Sequence, residues 1–264
     1  MPPELVDSHC HLDFPDFDNE IDEVIDRAHE AGISRMVHVC TRPENEPRAR
    51  ALAEAHAGVF YAFGIHPMQA ATTDPISVET IIRLSQHPKF VGIGETGLDY
   101  HYNPETAKQQ IASLRIHIQA AQETQLPLII HAREADQDVE QLLTDGMKET
   151  PYPCVLHCFS SGRRLAEAAI EMGFYLSMSG IVAFRKSVEL REIFARAPID
   201  RILVETDSPF LAPPPFRGKR NEPAHVVHTA RKGAEIFGQS EEAFAAITTA
   251  NFERLFTKAA RKGR

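Results

Sequence analysis

The stretch Val6-Asp7-Ser8-His9-Cys10-His11-Leu12-Asp13, close to the start of the sequence, combines a strand-like segment with two closely spaced histidines. Leu5 and Val6 begin an apolar, strand-like run that ends in two histidines separated by one residue. Because side chains alternate across a strand, both imidazoles lie on one side and Cys10 lies on the other. Imidazole is a common ligand of divalent metals, so the pair indicates half of a metal site at a strand end. Two histidines in this position can also simply be solvated, and the choice depends on the residues downstream.

The composition of the 264 residues is that of an ordinary globular protein, with 43% apolar and 25% charged residues. The length suits one barrel, since barrels of ~250 residues are common as single domains. The formal net charge of −9 argues against a protein that coats nucleic acid through a basic surface. A substrate phosphate that is held in a locally positive site is compatible with this charge.

The beginning of the sequence and its cysteines bear on the cellular compartment. No basic segment followed by an apolar one opens the sequence, so we expect no signal peptide. No run of ~18 apolar residues occurs, so we expect no membrane span. The four cysteines form no CxxC pair, which favours reduced thiols. We therefore expect a cytoplasmic protein.

Short apolar segments alternate with helical ones along the whole chain. After the first strand, we predict strands at 36–40, 59–65, 90–95, 128–131, 154–157, 175–179 and 202–205. The predicted helices are 18–31, 45–56, 78–87, 104–122, 135–143, 165–172, 188–195, one from 224 onward, and 240–256, with caps at Asp18 and Ser240. This order predicts one (β/α)₈ TIM barrel over residues 1–264. An open doubly wound sheet is the alternative, but no glycine-rich phosphate loop follows the first strand.

Residues of metal-ligand type occur at the carboxyl ends of six predicted strands, the face where barrel active sites form. They are His9, His11, His66, Glu95, His131, His157 and Asp207. His9, His11 and Asp207 come from strands one and eight, which are neighbours in a closed barrel, so we expect them to hold one ion. His131 and His157 come from adjacent strands and would hold a second ion, with Glu95 as a bridge. Zinc suits the nitrogen ligands, and manganese, magnesium or nickel suit a mixed nitrogen and oxygen shell.

Five segments resemble the TatD-type metal-dependent deoxyribonucleases, which belong to the amidohydrolase-like barrels. They are Ser8-His9-Cys10-His11, Gly64-Ile65-His66-Pro67, Gly94-Glu95-Thr96-Gly97-Leu98-Asp99-Tyr100, His157-Cys158-Phe159-Ser160 and Glu205-Thr206-Asp207-Ser208-Pro209. The resemblance extends from residue 6 to about residue 255. It implies a hydrolase with two divalent ions, bound by His9, His11, Glu95, His131, His157 and Asp207. It also implies activity on DNA, usually at a 3′ end.

Three residues are candidate substrate contacts. Arg133 lies two residues after His131, so its guanidinium shares that face and can grip a phosphate; the alternative is a pair with a surface carboxylate. His66 is either a further metal ligand or a substrate contact, and the resemblance favours the contact. Asn221 lies in a segment that resembles a loop beside the family's site, and it can equally just end the proline-rich loop.

The sequence therefore predicts metal-assisted hydrolysis of DNA phosphodiester bonds by a 3′–5′ exodeoxyribonuclease. Asp207 would orient the attacking water or accept its proton, and Glu95 would hold the metals. The substrate would be single-stranded DNA or a 3′ end, with no membrane and no obligate protein partner. One alternative is a hydrolase of a small cyclic amide, lactone or ester, although Glu95 stands where many such relatives have a modified lysine. Another is a metal-bearing scaffold that binds nucleic acid or protein without turnover.

Overall fold

Eight parallel strands form one sheet in the computed structural model, which describes residues 4–261. They are β1 (Leu5–Cys10), β2 (Ile33–Cys40), β3 (Val59–Phe63), β4 (Phe90–Asp99), β5 (Leu128–Arg133), β6 (Cys154–Leu156), β7 (Tyr175–Met178) and β8 (Ile202–Val204). Each strand pairs with the next one in the sequence. Backbone bonds join the first strand to the segment after the last: Asp207 N donates to His9 O, and His11 N donates to Ser208 O. The predicted (β/α)₈ TIM barrel is confirmed.

Nine α-helices are present in the described part of the chain, and one or more follow each strand. They are α1 (Ile21–Glu30), α2 (Glu46–Ala55), α3 (Val78–Ser85), α4 (Ala107–Thr124), α5 (Asp136–Glu149), α6 (Arg163–Glu171), α7 (Val188–Arg196), α8 (Val226–Phe237) and α9 (Glu241–Leu255). The Ser240 cap is confirmed, because its Oγ accepts from Ala243 N at 3.1 Å. The Asp18 cap is wrong. Pro15–Phe17 forms a 3₁₀ turn that ends at Asp18, and α1 begins only at Ile21. No helix within residues 4–261 is long and apolar enough to cross a membrane.

Strand β4 extends to Asp99, beyond the strand predicted at 90–95. Residues Thr96 to Asp99 instead pair with Ile130 to Arg133 of β5. A Cβ atom on Gly97 would lie 2.0 Å from His131 O, so this glycine allows a close approach of two strands and makes no turn. As a consequence, Glu95 lies within a strand and its position is fixed from both sides.

Apolar side chains of the strands fill one part of the barrel interior, and α9 with the turn after it closes this part. The strand residues Val6, Val37, Val39, Ala62, Val91, Ile129, Val155, Tyr175 and Leu203 pack with Phe252, Leu255, Phe256 and Ala259. The end of α9 and the turn after it therefore form a plug. Lys258 holds this turn to the barrel, since its Nζ donates to Ser85 O and His87 O.

The packing of the plug should contribute to the free energy of unfolding. Phe256 is fully buried, so Phe256→Ala leaves a cavity and should lower the free energy of unfolding by about 3–5 kcal/mol. Denaturant titration followed by circular dichroism measures this change. A loss below about 1 kcal/mol would mean that the ring does not support the barrel floor.

Candidate metal centre

One oxygen of the Glu95 carboxylate faces the two histidines of β1 and its extension. Glu95 Oε2 lies 3.5 Å from His9 Nε2 and 3.7 Å from His11 Nε2. The two ring nitrogens are 3.3 Å apart, and Asp207 Oδ1 lies 3.7 Å and 3.4 Å from them. Two nitrogens at about 2.05 Å from a tetrahedral ion are about 3.3 Å apart, so this spacing fits a metal shell. Two ring nitrogens at this distance need a proton or a cation between them, and a divalent ion provides the cation.

The other oxygen of Glu95 faces three histidines on the opposite side. Oε1 lies 2.7 Å from His157 Nε2, 3.0 Å from His131 Nδ1 and 3.3 Å from His66 Nε2. His157 Nε2 is buried, and no hydrogen bond satisfies it. A nitrogen lone pair that is buried and unsatisfied in this way fits a metal ligand. All seven residues that the sequence placed at the strand ends therefore come together around one carboxylate.

Behind three of the rings, the second nitrogen donates to an oxygen of the protein. The bonds are His11 Nδ1 to Val39 O (2.9 Å), His131 Nε2 to Asp99 Oδ2 (3.1 Å) and His157 Nδ1 to Glu205 Oε1 (3.3 Å). Each bond keeps a proton on the outer nitrogen of the neutral ring, so the inner nitrogen offers its lone pair to a metal. Asp99 and Glu205 had no predicted role, although they stand in the same sequence motifs as Glu95 and Asp207.

His66 differs from these rings. Its Nδ1 accepts a hydrogen bond from Met68 N at 3.2 Å, so the proton of the neutral ring is on Nε2. Nε2, the atom that faces Glu95, is therefore a donor and has no free lone pair for a metal. Burial also lowers the pKa of His66, although the Glu95 carboxylate opposes this, and the lowered pKa favours the neutral ring. This geometry favours a contact to substrate over a metal bond.

The carboxylates of the cluster, Glu95 and Asp207, need positive charge close by. Burial by itself would raise the pKa of Glu95, but His157 and His66 hold it well below its ordinary value. Burial would likewise raise the pKa of Asp207, and His11 lowers it. In return, Glu95 and Glu205 raise the pKa of His157 against the effect of burial. Protons on the rings and divalent ions thus serve the same need, which is to balance buried carboxylates.

The segment that carries Asp207 is clamped on two sides. Asp7 accepts from Thr206 N at 2.9 Å and from Thr206 Oγ1 at 2.6 Å. Asn221 Nδ2 donates to Thr206 O and Phe210 O, at 2.9 Å and 2.7 Å. Asp207 itself has a φ of 55°, a backbone conformation that these contacts hold in place.

Asn221 is fully buried, and its Oδ1 accepts from Glu222 N and His225 Nδ1. With its amide nitrogen also bonded to carbonyl oxygens, Asn221 has no free polar atom for a substrate. The sequence left open whether Asn221 contacts substrate or ends the proline-rich loop, and these bonds favour a positioning role. Arg133 is different: it is exposed, and its guanidinium lies 4.6 Å from the centre of the Tyr102 ring. Among residues 4–261 no carboxylate lies within 4.0 Å of Arg133, so its planar fork is available to an anion.

Histidines and carboxylates that converge at the carboxyl ends of a parallel barrel define a metal-dependent hydrolase of the amidohydrolase-like fold. The chain belongs to the TatD family, since the family model described as "TatD related DNase" matches residues 6–257. It is 42% identical over 255 residues to the "Uncharacterized metal-dependent hydrolase YcfH" of Escherichia coli (strain K12), covering 96% of this chain and 95% of the relative.

Two further similarities extend over nearly the full length. The "3'-5' ssDNA/RNA exonuclease TatD" of Salmonella typhimurium is 32% identical over 257 residues, covering 96% of this chain and 98% of that relative. The solved structure of YJJV, a TatD homologue from Escherichia coli, has a TM-score of 0.89 and 27% identity, and covers 96% of this chain and 98% of that one. The chain is thus a metal-dependent hydrolase of this family.

A matched pair of variants tests the assignment of His66. His131→Ala removes an inner nitrogen that can bind metal, so it should lose one ion and most activity while the barrel stays folded. His66→Ala should keep the full metal content and lose activity, because its inner nitrogen carries a proton. Metal analysis of both purified proteins at saturating metal gives the comparison. An equal loss of metal in the two variants would make His66 a ligand.

Proposed function

We propose that this protein removes nucleotides from the 3′ end of single-stranded DNA by hydrolysis of the phosphodiester bond, with two divalent ions per chain. The observation that carries the proposal is the position of Glu95, whose two oxygens face two separate sets of ring nitrogens. A carboxylate with a donor set on each side suits a bridge between two ions. The name of the Salmonella relative supports the substrate class.

The residues assigned to the ions are His9, His11 and Asp207 on one side, His131 and His157 on the other, and Glu95 between them. Nitrogen donors suit zinc, and the carboxylates also admit manganese, magnesium or nickel. When bound, such ions lower the pKa of a water toward ~7 and stabilise negative charge on the phosphoryl oxygens.

The protein side chains supply orientation and proton transfer. The Asp207 side chain is 14% exposed, against 3% for Glu95, so it is the carboxylate of the centre that water reaches. Asp207 would orient the attacking water and accept its proton. His66 Nε2 would donate a hydrogen bond to a phosphate oxygen, and Arg133 would hold two such oxygens with its fork.

The depth of the centre favours a strand end over a duplex. His9, His11, Glu95 and His157 are all buried, at or near the carboxyl ends of their strands. A flexible strand end can approach a buried centre more closely than an internal phosphate of a stiff duplex can. The preference for 3′ ends rests on family resemblance.

Oligonucleotides with one end blocked test this proposal. A linear single strand with a free 3′ end should be shortened one nucleotide at a time, and a 3′-blocked strand of the same sequence should resist. A closed circular single strand is the control without ends. Equal cleavage of circular and linear strands would rule out an enzyme that needs an end, and hydrolysis of only small amides, lactones or esters would rule out the nuclease.

Arg133→Lys tests the phosphate grip separately from the charge. Lysine keeps the positive charge but lacks the planar fork, so DNA hydrolysis should slow by about 10–100-fold, or about 1.4–2.8 kcal/mol of transition-state stabilisation. Metal content should stay the same, and a neutral activated ester should be affected far less. Wild-type kcat/KM on DNA for this variant would show that Arg133 does not hold phosphate.

A further inference from the structure

Two neighbouring loops at the mouth of the barrel carry exposed cations. Arg185 and Lys186 belong to the loop between β7 and α7, and Arg217 and Lys219 belong to the loop between β8 and α8. We call these four residues the basic strip. No Asp or Glu occurs in residues 179–187 or 208–219. Within the described range 4–261, none of the four has a carboxylate within 4.0 Å, so the strip is a local excess of positive charge on an acidic protein.

The two loops pack against each other, which makes the strip continuous. The Arg217 guanidinium carbon lies 3.6 Å from the centre of the Phe184 ring, at the outer part of the loops. Nearer the barrel, a Cβ atom on Gly180 would lie 2.2 Å from Leu211 O. The backbone of one loop therefore rests on the other, and the cations of both loops share one surface.

An exposed aromatic ring lies at the inner end of this surface. Phe210 is 48% exposed, which is unusual for a large apolar side chain in this protein. Its backbone N donates to Asp207 O at 2.9 Å, so the backbone of Phe210 is hydrogen-bonded to a residue of the metal centre. The ring meets Phe14 edge-on at 5.5 Å, and its centre lies 6.4 Å from that of His11. One end of the loop surface thus adjoins the ligand groups.

A row of cations that leads to an exposed ring fits one ligand chemistry well. Proteins hold single-stranded nucleic acid with basic grooves that follow the backbone and with aromatic rings that stack on the bases. A duplex offers phosphates but no free base faces, and a protein partner would not need the row to end at the metal centre.

We propose that the basic strip binds the phosphates of the nucleotides on the 5′ side of the scissile bond, and that Phe210 stacks on the base nearest to that bond. This inference rests on the proposed function and adds the path of the strand. The terminal nucleotide enters the metal centre, and the rest of the strand leaves across the loops after β7 and β8. The strip gives affinity that grows with strand length, over the first few nucleotides only.

A double variant tests the strip through its dependence on strand length. Arg217→Gln/Lys219→Gln should raise the KM for a strand of about twenty nucleotides by about 10-fold. The slope of log KM against log salt should fall by about 1.4, because each phosphate of a single strand that is no longer neutralised lowers it by about 0.7. A dinucleotide does not reach the strip, so its KM should change far less. The control Arg115→Gln/Arg196→Gln removes the same charge from α4 and α7, away from the loops, and should behave as wild type.

The outcomes separate the strip from the proposed function. If the wild type cleaves strands and the double variant raises the KM of dinucleotide and long strand equally, or of neither, the strip is not a strand path and the nuclease function stands. If the wild type cleaves no oligonucleotide, the proposed function fails and the strip fails with it.

Phe210 is tested with an abasic nucleotide next to the terminal one. In the wild type, loss of that base should raise KM at least about 5-fold, since the base can no longer stack on an aromatic ring. Phe210→Leu should be insensitive to the missing base, and Phe210→Tyr should keep the sensitivity because it keeps the ring. A wild type that treats the abasic and normal strands alike would overturn the stacking role.

Discussion

The structure depends on one electrostatic constraint, which is the burial of the Glu95 carboxylate inside the barrel. An ionised carboxylate cannot stay buried without positive charge or hydrogen-bond donors close by. Here the partners are ring nitrogens on both sides, at 2.7–3.7 Å. Gly97 lets β4 and β5 approach each other beside this residue, and the extended β4 fixes the direction of the carboxylate. This placement suits a carboxylate that bridges two metal ions, because each of its oxygens faces its own set of ring nitrogens.

A second layer of bonds joins the metal centre to the loops that would meet a substrate. Asp99 accepts from His131 with one oxygen, and with the other it accepts from Tyr102 N at 2.8 Å. Tyr102 in turn lies beneath the Arg133 guanidinium. On the opposite side of the barrel, Asp207 is tied through its carbonyl to Phe210. Arg133 is therefore linked to His131 through Tyr102 and Asp99, and Phe210 is bonded directly to Asp207. A disturbance of the substrate group in either pair is expected to reach the candidate ligand.

The spacing of residues in the sequence predicted much of this arrangement. It could not predict the contacts between residues that are far apart in the sequence. Alternation placed His9 and His11 on one face, and the order of strands brought Asp207 beside them. The predicted strand 90–95 ended too early, because sequence alone does not show that Gly97 faces a carbonyl of β5. For the same reason the role of Asn221 stayed open between two alternatives, whereas in the structure carbonyl oxygens of the Asp207 segment occupy its amide. The proton on His66 Nε2 is set by a backbone N–H, which no residue pattern encodes.

The bridge itself is tested most directly by a crystal structure of the manganese-loaded protein with anomalous data. We expect two anomalous peaks about 3.5–4 Å apart, one beside each oxygen of Glu95. His9, His11 and Asp207 should surround the first peak, and His131 and His157 the second. A single peak at saturating manganese, or two peaks of which only one contacts Glu95, would show that Glu95 does not bridge two ions.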